Sequence, residues 1–367
     1  MTQDILVSVT GAVGRITLNR PAAINALTLD MVRAIDATFT RWANDDAIAF
    51  VVLDGAGERG LCAGGNIRDL YDGVKSNEFA FPEAFFAEEY RLDYRICCYP
   101  KPVVALMNGA VMGGGIGISA HASHRIVNER SALAMPEARI GFFTDVGGTH
   151  LLSKAPGELG THIALTSGRL KAADAIHCGL ADQFTPVNRW GDLLRALEGC
   201  PTASALAGVL ADFADNAGPS ELTAKSSWID RCYNSNSAEA ILAALREAPE
   251  PDAHDAAREM AANSPTSVKL TLEALRRARK LKRLDACFNQ EYRIALRALR
   301  NADFVEGVRA AVIDKDRAPK WSPSRLEDVT AEHIALYFAP LTVELGLGLD
   351  VETDTHNANA IGGERHG

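Results

Sequence analysis

The chain has 367 residues, 47% of them hydrophobic and 23% charged, and a formal net charge of −9. That length can bury a large core and suggests two domains or one elaborated domain. The acidic balance excludes broad nucleic-acid binding, which needs clustered Lys and Arg, and leaves room only for a local basic pocket. Seven cysteines are scattered without a C-x-x-C pair, so neither a zinc site nor a disulfide framework is expected. Their odd number fits a reducing compartment, and a cytoplasmic location is the expectation. The opening residues show neither a basic region before a long apolar run nor an Arg-rich amphipathic helix, so no signal or transit peptide is expected. No apolar stretch reaches the length of a membrane span.

Ile5, Val7 and Val9 alternate with polar neighbours, which predicts a strand. Gly11 to Gly14 reads as a turn and Arg15 to Asn19 as the returning strand of a hairpin. After a loop at 20–27, Thr28 has the character of an N-cap, and Leu29, Val32, Ile35, Phe39 and Trp42 follow at helical spacing. Ile48 to Leu53 reads as a further strand, and Asp54 to Asn66 as a glycine-rich loop able to present backbone amides. Phe79 to Ile96 predicts a helix whose Glu88-Glu89 pair would, as a bare charge pair, mark a solvated face. Short helices at 158–166 and 172–178 and a strand at 183–187 follow. Strand and helix alternate up to here, which implies an α/β core with right-handed crossovers. Past residue 200 strand signals fade, and helices are expected at 203–213, 238–247, 251–262, 264–282, 284–300 and 304–313. Ser264-Pro265 fits an N-cap with proline at the first helical position. The expected division is a core over 1–200, a helical region over 201–345 and a flexible tail over 346–367.

The chain is organised around residues 101–148. The apolar run Val103 to Met107 predicts a buried strand, the run Gly113-Gly114-Gly115 a turn, and Ile116 to Ala120 the opening of a helix. Such a junction exposes backbone N–H groups that can hold an anion or the oxyanion of an acyl-transfer transition state. Glu137 and Asp145 come next in the same stretch. Each alone reads more simply as a solvated loop acid, and a glycine run after a strand is as often tight packing as a site. The segment Gly115 to Ala120 also imitates a dinucleotide fingerprint, but a hundred residues precede it, where that motif usually sits on an early strand.

Four ordered motifs together are more specific: NRPAAINAL at 19–27, LCAGGNI at 61–67, KPVVALMNGAVMGGGIG at 101–117 and AMPEARIGFFTDVGG at 134–148. They resemble the crotonase (enoyl-CoA hydratase/isomerase) superfamily. The resemblance implies a spiral of ββα units binding an acyl-CoA, with the thioester oxygen held by the backbone amides of Gly65 and Gly114. It implies no metal and no cofactor beyond CoA carried by the substrate. The hydratases' second glutamate matches Glu137, whereas the position of their first holds Gly117, and Asp145 stands where they usually have a non-acidic residue. Glu137 with Asp145, the FFAEEY segment at 85–90 and the C-terminal runs SPTSVKLTLEAL, QEYR and DFVEGVRAAVIDKDRAPKW resemble the 3-hydroxyisobutyryl-CoA hydrolase branch. That branch implies Glu137 as base or nucleophile, Asp145 on the 3-hydroxyl or sharing a proton with Glu137, and Glu89 lining the substrate pocket or orienting Asp145. Lys315 and Arg317 are candidates for the CoA phosphates. A homo-oligomer is compatible with the resemblance, and no nucleic-acid or membrane partner is expected.

Overall fold

The computed structural model describes residues 3–348; the tail expected from 346 onward lies, beyond 348, outside the described residues. The chain opens with the expected hairpin, β1 (Ile5–Thr10) antiparallel to β2 (Val13–Leu18). β1 forms the edge, so Val9 is half exposed while Ile5 is buried. Helix α1 (Leu29–Ala43) begins at Thr28, whose hydroxyl accepts from the Met31 amide, and all five apolar positions expected to face inward are buried.

From β3 (Phe50–Gly55) onward the chain repeats one unit. Each long strand is followed by a short one: β4 (Gly60–Cys62) after β3, β6 (Ala110–Met112) after β5 (Val103–Met107), and β8 (Ala132–Ala134) after β7 (His124–Val127). Together with β9 (Arg169–Leu170) and β10 (Gln183–Phe184), these strands make two sheets. The larger is ordered β1-β2-β3-β5-β7-β10 and the smaller β4-β6-β8-β9. β3, β5 and β7 pair in parallel, as do β4, β6 and β8. Each turn therefore adds one strand to each sheet before a helix returns the chain, which is a ββα spiral. Helices α2 (Ile67–Lys75), α3 (Ala80–Cys97) and α4 (Gly114–Ala120) make those returns.

The larger sheet is covered on both faces, which explains its unbroken apolar runs. Val51, Leu53, Val103, Ala105 and Met107 face the main core. Phe50, Val52, Val104, Leu106 and Ile126 face a second cluster, covered by Leu193, Leu197, Leu206 and Leu210. These leucines come from α8 (Trp190–Glu198) and α9 (Leu206–Phe213), which follow the short helices α5 (Gly148–Ser153), α6 (Leu159–Thr166) and α7 (Ala172–His177).

Beyond them the chain is helical: α10 (Glu221–Tyr233), α11 (Ala238–Glu247), α12 (Pro251–Ala262), α13 (Pro265–Leu281), α14 (Leu284–Ala298), α15 (Ala302–Val308) and α16 (Ala331–Tyr337). α13 packs on α5 and α14 on α3, and the main apolar cluster runs without a break from Ile5 to Leu345. The expected α/β architecture with C-terminal helices is thus the one found. The loop reading of 54–66 is corrected, because its middle pairs with Ala110 and Val111 as a strand.

Candidate active site

The glycine-rich turn at 63–66 is fixed from both sides. Leu27 N–H donates to the Gly64 carbonyl at 2.8 Å, and Asn66 N–H donates to the Leu27 carbonyl at 2.7 Å. Asn25, fully buried, anchors the preceding loop by donating to the carbonyls of Ala56 and Gly60. The second turn comes from the run after β6. Gly113 has φ +48, a conformation side chains resist, and a Cβ there would sit 2.9 Å from Glu137 Oε1. The two turns meet, since a Cβ on Gly64 would lie 3.7 Å from the Gly114 nitrogen. The amides of Gly65 and Gly114 have no acceptor among the described residues. Two unpaired N–H groups beside each other are the arrangement an oxyanion needs.

The dinucleotide imitation fails here. Its glycines lie inside α4 and not in a strand-to-helix turn, so they cradle no phosphate.

Glu137 opens the short 137–140 turn after β8 and is only 6% exposed; its Oε2 is buried without a partner. Asp145 is 4% exposed and accepts from the Tyr90 hydroxyl at 2.7 Å. Neither acid is a solvated loop residue. Asp145 sits on a constrained turn in which Val146 has φ +52 and Gly147 φ +73. A β-branched residue there is strained, and three contacts hold it. The Gly148 amide donates to the Asp145 carbonyl, the Gly147 amide to Glu291 Oε2 at 2.7 Å, and His121 Nε2 meets the Val146 carbonyl at 2.9 Å. Burial lowers the His121 pKa to about 4, so the ring is neutral and Nε2–H is the donor in that contact.

α3 splits the Glu88-Glu89 pair. Glu88 faces outward and takes a two-pronged ion pair from Arg33 at 2.7 Å. Glu89 is 2% exposed, its Oε1 has no partner, and it fills the space a Cβ on Gly114 would need. One turn further along the same face lies Asp93, fully buried, with neither carboxyl oxygen hydrogen-bonded. Asp93 Oδ2 occupies the space next to Gly117 where a side chain would start. The position that lacks the hydratase acid therefore faces a carboxyl supplied by another helix.

Burial raises the pKa of every acid in this group. Glu137 lies well above the usual carboxylate range, first through burial and then through the nearby Asp145. The same two causes raise Glu89, and burial with the neighbouring Glu89 raises Asp93. Asp145 reaches about 7 through burial, with the Tyr90 hydroxyl opposing the rise. Glu291, from α14, reaches about 8 although the Thr149 hydroxyl and the Thr149 and Gly147 amides donate to it. Among the described residues no group of three or more His, Cys, Asp or Glu is arranged to hold a metal ion.

The site residues named from the sequence thus come together: Gly65, Gly114, Glu89, Glu137 and Asp145. The expected orientation of Asp145 by Glu89 is corrected, because Tyr90, the next residue, makes that hydrogen bond. Tyr90, Asp93, His121 and Glu291 were missed. For Asp93 a signal existed, since acids at 89 and 93 share a helix face with Phe85, Phe86 and Ile96. Lys315 and Arg317 are exposed on the loop after 313, without ion pairs among the described residues.

A ββα spiral with paired free amides over buried carboxyls defines the class of fold. The chain belongs to the enoyl-CoA hydratase/isomerase family, whose model matches residues 13–338. It is 38% identical over 345 residues to a protein of Danio rerio named 3-hydroxyisobutyryl-CoA hydrolase, mitochondrial, covering 92% of this chain and 90% of that one. The human protein of the same name is 37% identical over 347 residues, covering 92% and 89%. Among solved structures, a carnitinyl-CoA dehydratase from Mycobacterium thermoresistibile is 44% identical with TM-score 0.89, covering 94% of this chain and 98% of that one. An enoyl-CoA hydratase from Rhodobacter sphaeroides 2.4.1 is 42% identical with TM-score 0.87, covering 92% and 98%.

Proposed function

We propose that the protein hydrolyses a 3-hydroxyacyl-CoA thioester, 3-hydroxyisobutyryl-CoA foremost, to 3-hydroxyisobutyrate and free CoA. One observation carries this reading: two amides without acceptors among the described residues, Gly65 and Gly114, belong to turns that meet, with the buried Glu137 against the adjoining Gly113 and Asp145 near enough to raise its pKa. The full-length likeness to proteins named as that hydrolase supports it. The amides take the thioester oxygen and stabilise the charge it gains as the carbonyl becomes tetrahedral. Glu137, once ionised, either takes a proton from the attacking water and passes it to the departing CoA thiolate, or attacks the carbonyl itself and expels the thiolate, which takes its proton from solvent before water hydrolyses the anhydride and frees Glu137. Asp145, as an acceptor, receives the substrate's 3-hydroxyl. CoA enters as part of the substrate, and no other cofactor is needed. A reducing compartment, read as cytoplasmic, suits seven free cysteines; valine catabolism is the setting such a substrate implies.

The structures named as dehydratase and hydratase favour a second reading, addition of water to an enoyl-CoA. Gly117 weighs against it, since Asp93 beside it is fully buried and offers no acid at the surface of the site.

The test is a thiol-release assay with 3-hydroxyisobutyryl-CoA run beside crotonyl-CoA hydration on the same preparation. Thiol release without loss of the enoyl absorbance is expected, and the reverse would establish the hydratase reading. Glu137→Gln should lower kcat at least about 100-fold while acyl-CoA still binds. Because the Glu137 pKa is raised, activity should climb with pH well above the range of an ordinary carboxylate.

A further inference from the structure

We propose that Tyr90 is the positioning residue that keeps the Asp145 carboxylate an acceptor for the substrate's 3-hydroxyl, and so sets the preference for hydroxylated acyl chains. This rests on the hydrolase reading for the role of Asp145. The geometry of the contact stands on its own.

Tyr90 is fully buried, and its ring is held by Phe86 at 5.8 Å, Phe288 at 5.7 Å and Tyr292 at 6.5 Å. The hydroxyl therefore has one direction to point, toward Asp145 Oδ2 at 2.7 Å. Asp145 cannot swing away, because its turn is pinned through Gly147, Gly148 and the Val146 carbonyl. No other side chain among the described residues donates to Asp145, and its own backbone amide is the further donor to the carboxylate.

Among the described residues the charged groups that act on Asp145 are acidic, and His121, against the same turn, is neutral. Glu89 and Asp93 approach from α3, Glu137 from its turn and Glu291 from α14. Like charges so close cannot all ionise. Glu89, Asp93 and Glu137 each have a buried oxygen without a donor, and a donor stabilises the charged form. Glu291 has three donors of its own; among Glu89, Asp93, Glu137 and Asp145, Tyr90 is the side-chain donor that favours the charge on Asp145. A protonated Asp145 would be a donor as well as an acceptor and would no longer demand a hydroxyl from the substrate.

The test compares wild type, Tyr90→Phe and a protein carrying 3-fluorotyrosine at position 90. Two readouts are taken: the infrared band of protonated Asp145 against pH, assigned by its loss in Asp145→Asn, and the ratio of kcat/KM for 3-hydroxyisobutyryl-CoA over isobutyryl-CoA. In Tyr90→Phe the band should persist to a pH about one to two units higher, and the ratio should fall at least about tenfold. The fluorinated phenol, a stronger donor, should move the band the other way. Thermal melts show which variants are folded, and the fluorotyrosine protein decides the matter if Tyr90→Phe does not fold. An unmoved band in folded variants overturns the proposal. A moved band with an unchanged ratio overturns the specificity role. If Asp145→Asn itself keeps full discrimination, the hydrolase reading of Asp145 fails, whatever the band does.

Discussion

The glycines of the site are set by what lies against them. Gly114 faces Glu89 so closely that a Cβ would overlap its Oε1, while Glu89 is 2% exposed and walled in. Gly114→Ala keeps the amide proposed to hold the oxyanion but forces Glu89 or α4 to move. Overpacking of this kind costs about 1–3 kcal/mol, and a displaced amide costs rate as well. We expect a Tm drop together with a fall in kcat/KM of at least about tenfold, measured by melting and by thiol release. A drop in stability with unchanged kcat/KM would mean that the amide stays in place and Glu89 yields alone. Four residues that the structure brings into one region, Gly65, Gly114, Glu137 and Asp145, could be singled out in the sequence because they sit in motifs of fixed spacing, whereas Glu89, on a helix, was singled out only through the family resemblance. Tyr90 and Glu291 were not. Their roles depend on which way a helix faces and on a contact made 144 residues along the chain, from Glu291 to the Gly147 amide.

At the scale of elements, length decided what could be read. β3, β5 and α11 to α13 show clear apolar runs or periodicity and were found close to their true bounds. β4, β6 and β8 have three residues each, too few for alternation to register, although they build the sheet that presents the site. α13 shows how an end of one element supports that sheet. Its N-cap, Ser264, is fully buried and accepts from the Ser267 amide at 3.2 Å. The same hydroxyl donates to Asp303 Oδ2 at 2.6 Å, and the Ser264 amide donates to the Ala138 carbonyl, beside Glu137. Ser264→Ala removes a cap and takes a donor from a buried carboxyl, a loss of about 2 kcal/mol. Denaturant unfolding should show that loss. Ser264→Thr, which keeps the hydroxyl, should recover part of it.

For the molecule as a whole, a cluster of buried acids makes stability depend on pH in an unusual direction. Carboxylates in folded proteins more often have lowered pKa values and favour the native state as pH rises. Here the folded values are raised, Asp145 to about 7 and Glu291 to about 8. Such groups stabilise the fold fully below their unfolded pKa near 4, and that stability is lost as pH rises toward the folded value. The unfolded chain has then released protons that the native state still holds. Asp93 is the cleanest case, because it is fully buried, has no hydrogen bond and carries a pKa well above the usual range. In the window above the unfolded pKa, a group of this kind weakens the fold by about 1.4 kcal/mol per pH unit. Asp93→Asn keeps the shape and removes the titration, and the new amide can donate to the acids around it. The variant should therefore melt near the wild-type temperature at pH 5 and higher than wild type at pH 8, by roughly 5 °C or more. Thiol release should persist, since Asp93 offers no surface to the substrate. Equal shifts at both pH values would mean that Asp93 is ionised in the folded protein and that the cluster holds more charge than its burial allows.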